Sequence, residues 1–256
     1  MANIGLVLSG GGVKGLAHIG VIKYLEEIGL NITHVSGTSS GALVGMMYAA
    51  GLKADEILKY FMTTSLFSIK NFSYGKPGFL DLLKYEEELK SIFKVERFDE
   101  LEKKFYVNAT NLFTGEEKVF WQGKFIRPVL ASATFPLVFS PVEIGGEWYA
   151  DGGIVNNFPV ENCPPEVDHI VGVNLNNVLK IGPKELSNSF DVVERSFNIM
   201  MGHQVNKKID SCSVILHPPE LSTIGVFEMK KRKEAYKIGY EAAKKRTIDL
   251  QALSLK

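Results

Sequence analysis

Ile4 to Ser9 is a short apolar run that stops at glycines, the pattern of a buried strand. Leu16, Ile19, Ile22 and Leu25 then recur at helical spacing, and Gly29 is placed to end that helix. His34-Val35-Ser36 reads as a second strand, and Ala42 to Ala50 as a helix apolar on every side, which belongs inside a fold. Glu86 to Phe93 predicts a helix and Phe105 to Ala109 a strand. The turn Leu112 to Glu116 leads into Lys118-Val119-Phe120-Trp121, giving a hairpin. Val142-Glu143-Ile144 and Trp148-Tyr149 flank Gly145-Gly146 in a second one. Ile170 to Leu175 and Val214 to Leu216 read as further strands. A helix is expected from Asp191, with Glu194 in capping-box position, and a last one from about Glu228 into the 240s. Residues 61–80, rich in Phe and Tyr, follow no clean period.

Strands alternating with helices predict an α/β fold, layered, with a mainly parallel central sheet flanked by helices. The chain has no internal repeat, low-complexity tract or Pro/Ser-rich linker, so one domain over residues 1–256 is expected. Composition changes this picture little: 45% hydrophobic and 23% charged residues suit a globular core. Lys+Arg and Asp+Glu both number 29, so no net positive field gathers nucleic acid. Two cysteines, Cys163 and Cys212, are too few for a disulfide scaffold and suit a reducing compartment. The N-terminus has no basic leader and no apolar run of membrane-spanning length. A cytoplasmic protein is expected. Lys230-Lys231-Arg232-Lys233 and later basic residues on the last helix offer a transient membrane-surface contact, with a solvated face as the plainer reading.

Three glycine-bearing motifs carry chemistry. Gly10-Gly11-Gly12-Val13-Lys14-Gly15 lies between a strand and a helix, where backbone N–H groups can turn toward an anion. A Rossmann loop shares the spacing, but the acidic residue about 20 positions on is missing. A Walker A loop needs Ser or Thr after Lys14, where Gly15 stands. Gly37-Thr38-Ser39-Ser40-Gly41 has the G-x-S-x-G form of a nucleophile elbow. Alone it is weak, with about 0.15 chance matches in such a composition. Asp151-Gly152-Gly153 closes a strand, and its bland reading is a turn.

In this order the three motifs resemble the patatin-like phospholipase family, together with Ala131-Ser132-Ala133-Thr134-Phe135-Pro136. The resemblance spans about residues 4–175, and no motif is found from Asn176 onward. It implies a lipid acyl hydrolase using a Ser-Asp dyad, with Ser39 as nucleophile and Asp151 as general base. Gly10, Gly11, Gly12 and Val13 would form the oxyanion hole, and Lys14 would order the loop or meet a phosphate-bearing substrate. Gly15, Gly37, Gly41, Gly152 and Gly153 complete the motifs. The implied partner is a lipid or acyl-ester substrate, with no metal or organic cofactor.

The residues themselves support such chemistry. A serine hydroxyl needs a base to accept its proton, and burial lifts an aspartate from its feeble basicity toward that task. A rival is a Ser-His-Asp hydrolase, whose chain order Ser39, Asp151, then His169, His203 or His217 is available. Against it, the elbow follows only two short strands. A second rival keeps the fold and binds acyl groups without turnover.

Overall fold

The computed structural model describes residues 2–64, 80–206 and 208–254, so residues 65–79 of the aromatic stretch lie outside it. The strands are β1 (Ile4–Leu8), β2 (Ile32–Gly37), β3 (Lys104–Asn111), β4 (Glu117–Phe120), β5 (Val142–Ile144), β6 (Glu147–Asp151), β7 (His169–Val173) and β8 (Val214–Leu216). The helices are α1 (Leu16–Glu27), α2 (Ser40–Ala49), α3 (Ala54–Thr63), α4 (Glu86–Ile92), α5 (Ile126–Ser132), α6 (Ser189–Asn206), α7 (Arg232–Lys244) and α8 (Thr247–Ala252).

All described strands join one sheet in the order β5-β6-β3-β2-β1-β7-β8, with β4 also on β3. Strands β3, β2, β1, β7 and β8 are mutually parallel, as the alternation of strands and helices requires. Strands β4 and β6 run antiparallel to β3, each returning from a short hairpin connection, and β5 pairs antiparallel with β6. The sheet is therefore mixed, and the parallel part holds its centre.

The apolar run of β1 is explained by its position. Leu6 and Leu8 pack into the main core, while Val7 joins a second cluster with Phe158, Val160 and Val205. Successive side chains of a strand point to opposite faces, so β1 is buried on both. Helix α2 buries nine of its ten residues, in keeping with its lack of a polar face. Helix α7 packs along α1, and Lys231, Lys245 and Arg246 at its ends pair with Glu234, Glu220 and Asp249.

Helix α6 begins differently from expectation. Asn188 and Asp191 exchange hydrogen bonds at its start, Asp191 N to Asn188 Oδ1 at 3.1 Å and Asn188 N to Asp191 Oδ2 at 3.2 Å. Glu194, expected in the cap, instead accepts from Val226 N at 3.0 Å across the fold.

The pairings of β3 position the site. Val107 pairs with Gly37 of β2 and with Phe120 of β4, which must lie on opposite edges. Ala109 pairs with Lys118 of β4 and with Asp151 of β6. Hence β2 and β6 share one edge of β3, entering from opposite ends. Their last residues stop two residue levels apart, about 7 Å along the strand.

Candidate active site

Ser39 follows β2 and caps α2 in a conformation that few non-glycine residues adopt, with φ 54° and ψ −120°. Its neighbours must be small: a Cβ on Gly41 would stand 2.2 Å from Leu8 O, and one on Gly37 2.6 Å from Gly41 O. Ser39 N donates to Ser132 Oγ at 2.9 Å, and Thr38 Oγ1 donates to Asn108 Oδ1 at 2.7 Å and to Asn156 O at 3.1 Å. The elbow is thus tied to α5, β3 and the segment after Asp151.

Asp151 is tethered at four points. Its N–H donates to Thr134 O at 3.1 Å, and its carbonyl accepts from Thr110 Oγ1 at 2.8 Å. Its Oδ1 accepts from Gly153 N at 2.7 Å, and its Oδ2 from Ser39 Oγ at 2.7 Å. Burial pushes its pKa up to about 6, opposed by the hydrogen bonds from Ser39 and Gly153, which favour the carboxylate. A base poised near neutrality and in contact with a serine hydroxyl is suited to take its proton.

The glycine loop after β1 divides into engaged and open donors. Gly10 N donates to Asn157 O at 3.3 Å and Val13 N to Val226 O at 2.8 Å. The N–H groups of Gly11 and Gly12 have no hydrogen-bond partner among the described residues. Both residues line a pocket with Ser39 and Asp151 of about 1000 Å³, its open mouth included. Leu43, Phe61, Leu82, Phe135, Phe197 and Met201 supply apolar wall, an acyl chain's natural surroundings.

Lys14 does not face this pocket. It is buried behind the loop, with Nζ 3.5 Å from Asn176 Oδ1, while Asn176 Nδ2 donates to Gly10 O at 2.7 Å. Burial lowers the Lys14 pKa to about 8, with the charge of Glu194 pulling it back up. Of the two roles expected of Lys14, ordering the loop and meeting substrate, this placement fits the first.

No histidine among the described residues lines the pocket or bonds to Ser39. His217 Nε2 lies 3.1 Å from Asn174 Nδ2, His169 Nδ1 lies 3.3 Å from Ser213 Oγ, and His203 is exposed on α6. His18 is buried with Nε2 against Ser9 O at 2.8 Å. Several residues that organise the site went without a role in the sequence reading: Asn108, Thr110, Asn156 and Asn157. For the first two the available signal was their polar side chains alternating with Val107 and Ala109 in β3.

The model of one family, patatin-like phospholipase, matches residues 6–163, which contain the glycine loop, the elbow and Asp151. The chain belongs to the patatin-like phospholipase family. Among curated patatin-like relatives, an uncharacterized NTE family protein of Mycobacterium bovis is 32% identical over 177 residues, covering 68% of this chain and 49% of its own length. Lysophospholipase NTE1 of Candida glabrata is 25% identical over 284 residues, 98% of this chain and 16% of that protein. The chain thus spans about half or less of these relatives. The crystal structure of VipD from Legionella pneumophila superposes with TM-score 0.58 at 18% identity, over 98% of this chain and 67% of that one. That likeness of fold covers the part of the chain beyond residue 163, where no motif was found.

Proposed function

We propose that this patatin-like protein is a serine acyl-ester hydrolase acting on lipids through a Ser39–Asp151 dyad. The observation that carries the reading is the 2.7 Å hydrogen bond from Ser39 Oγ to Asp151 Oδ2 at the floor of an apolar pocket. Asp151 accepts the proton as Ser39 Oγ attacks the ester carbonyl. The tetrahedral intermediate places negative charge on the former carbonyl oxygen, and the open N–H groups of Gly11 and Gly12 receive it. Collapse of the intermediate expels the alcohol, which takes the proton from Asp151 and leaves an acyl-Ser39 ester. A water molecule, giving its proton to Asp151, then releases the fatty acid.

Gly10 and Val13 hold the loop in place through bonds to Asn157 and Val226, and Lys14 supports it from behind. Among the described residues no helix is long and apolar enough to cross a membrane. Hydrolysis of medium-chain p-nitrophenyl esters tests the reading. Release of p-nitrophenol well above a Ser39→Ala control is expected; release no faster than that control would leave an acyl-binding protein without turnover.

A further inference from the structure

Two charged side chains line the pocket, Asp151 and Arg232. The dyad chemistry uses the first and gives the second nothing to do. Arg232 opens α7, and its guanidinium is firmly placed: Nε donates to Met229 O at 3.0 Å, and Nη1 to Phe61 O at 2.9 Å and Met62 O at 3.5 Å. The last two carbonyls belong to the C-terminal turn of α3, where a cation is favoured. These bonds leave Nη2, with its two N–H donors, without a partner among the described residues.

The charge is also uncompensated. Arg232 makes no ion pair among the described residues; Lys230, Lys233, Lys237 and Lys244 make none either, but of these Arg232 is the one that lines the pocket. Residues outside that set, 65–79 included, contain no Asp or Glu. A half-buried guanidinium on an apolar wall, with a free edge and no anion, is a prepared anion site. Its planar fork matches the oxygens of a phosphate.

We propose that Arg232 reads the phosphate of a lipid whose acyl ester lies at Ser39, and so sets a preference for phosphate-bearing lipids over neutral acylglycerols. The identity of the ligand as a lipid rests on the hydrolase reading; the anion site does not. Arg232 is a specificity-determining residue, distinct from Lys14, whose ammonium is behind the glycine loop.

Two non-cleavable ligands with the same alkyl chain test this: an ether-linked lysophosphatidylcholine and an ether-linked monoalkylglycerol. Calorimetric titration below their micelle concentrations gives the ratio of their affinities. The wild-type protein is expected to favour the phosphate ligand by about tenfold or more, the scale of one charge-assisted pair, and Arg232→Gln to bring the ratio to within about twofold of unity. A purely structural clamp would change both affinities alike and leave the ratio standing. Should loss of the α3 contacts unfold Arg232→Gln, Arg232→Lys carries the test, since it keeps a cation without the fork, and its ratio should fall at least about threefold. Glycerol 3-phosphate should compete only weakly; competition as strong as that of the lipid would assign the site to a soluble phosphate and overturn the lipid headgroup. Equal affinities in the wild type, or an unchanged ratio in the variants, overturns the proposal. Neither ligand can be hydrolysed, so failure of ester turnover and failure of phosphate recognition give separate results.

Discussion

Gly37 and Asp151 end two strands that approach each other head-on along one edge of β3, opposite Val107 and Ala109. The chain continues two residues beyond Gly37 to Ser39, and this closes the gap to a 2.7 Å contact between side chains 112 positions apart. Register thus decides the dyad. A one-residue slip of β6 would turn the Asp151 side chain to the other face of the sheet.

If Asp151 is the base, its removal should cost what general-base catalysis supplies. Asp151→Asn is expected to lower kcat for a p-nitrophenyl ester by about 10³-fold or more, and Ser39→Ala to abolish turnover, with circular dichroism unchanged in both. Asp151→Asn activity within tenfold of wild type would remove the carboxylate from the mechanism.

The pH profile should carry the same residue's mark. The Asp151 pKa is raised to about 6 by burial, and only the carboxylate accepts a proton. The kcat/KM of the free enzyme should therefore climb through about pH 6 and level off above it. A profile flat from pH 5 to 8 would contradict this assignment.

Burial of the carboxylate has a stability consequence of opposite sign to its use. Raised from 3.8 to about 6, Asp151 holds more protons in the folded than in the unfolded chain over that window. Folding stability is then lost as pH rises from about 4 to 6, by on the order of 3 kcal/mol at most. Asp151→Asn should melt about 3–10 °C above wild type at pH 7.5, with the advantage vanishing near pH 4. Thermal denaturation at the two pH values is the measurement, and a variant less stable at both would refute the penalty.

Gly12 tests the open donors. Its φ is +59°, and a Cβ there would stand 2.3 Å from Val226 O, so alanine must displace the N–H that the oxyanion needs. Gly12→Ala is expected to reduce kcat by about 10²-fold. Gly29→Ala is the control: its φ is +69° with nothing within 4 Å, so it should cost about 1–2 kcal/mol of stability and leave kcat alone. Similar kinetics for both variants would mean the loop is not the oxyanion site.

The histidines give a complementary test. His217→Ala, His169→Ala and His203→Ala should each keep kcat within about threefold of wild type, since none bonds to Ser39. A large loss in one of them would restore a Ser-His-Asp arrangement.

How much of this was legible beforehand follows from what each motif had to do locally. The elbow and the glycine loop follow strands that announce themselves by short apolar runs, and their glycines mark backbone crowding that any sequence must obey. The proximity of Asp151 to Ser39 was readable only through family resemblance, because it depends on two strands sharing an edge of β3, a non-local pairing with no periodicity of its own. Helix α3 passed unnoticed although Ala54, Ile57 and Phe61 form a buried stripe at helical spacing, whereas α5 offered little to read. In α5, every residue from Ile126 to Ser132 except Arg127 is buried, and its seven residues are too few to show a period. Arg232 read as one member of a basic run; only the fold shows it turning to α3 and lining the pocket while Lys231 beside it pairs with Glu234.

The dyad is tested most directly by where and how fast a fluorophosphonate attaches. Peptide mass spectrometry should find the adduct on Ser39, with labelling slowed at least about 10²-fold in Asp151→Asn and absent in Ser39→Ala. An adduct on another residue, or labelling of Asp151→Asn at the wild-type rate, would contradict the account.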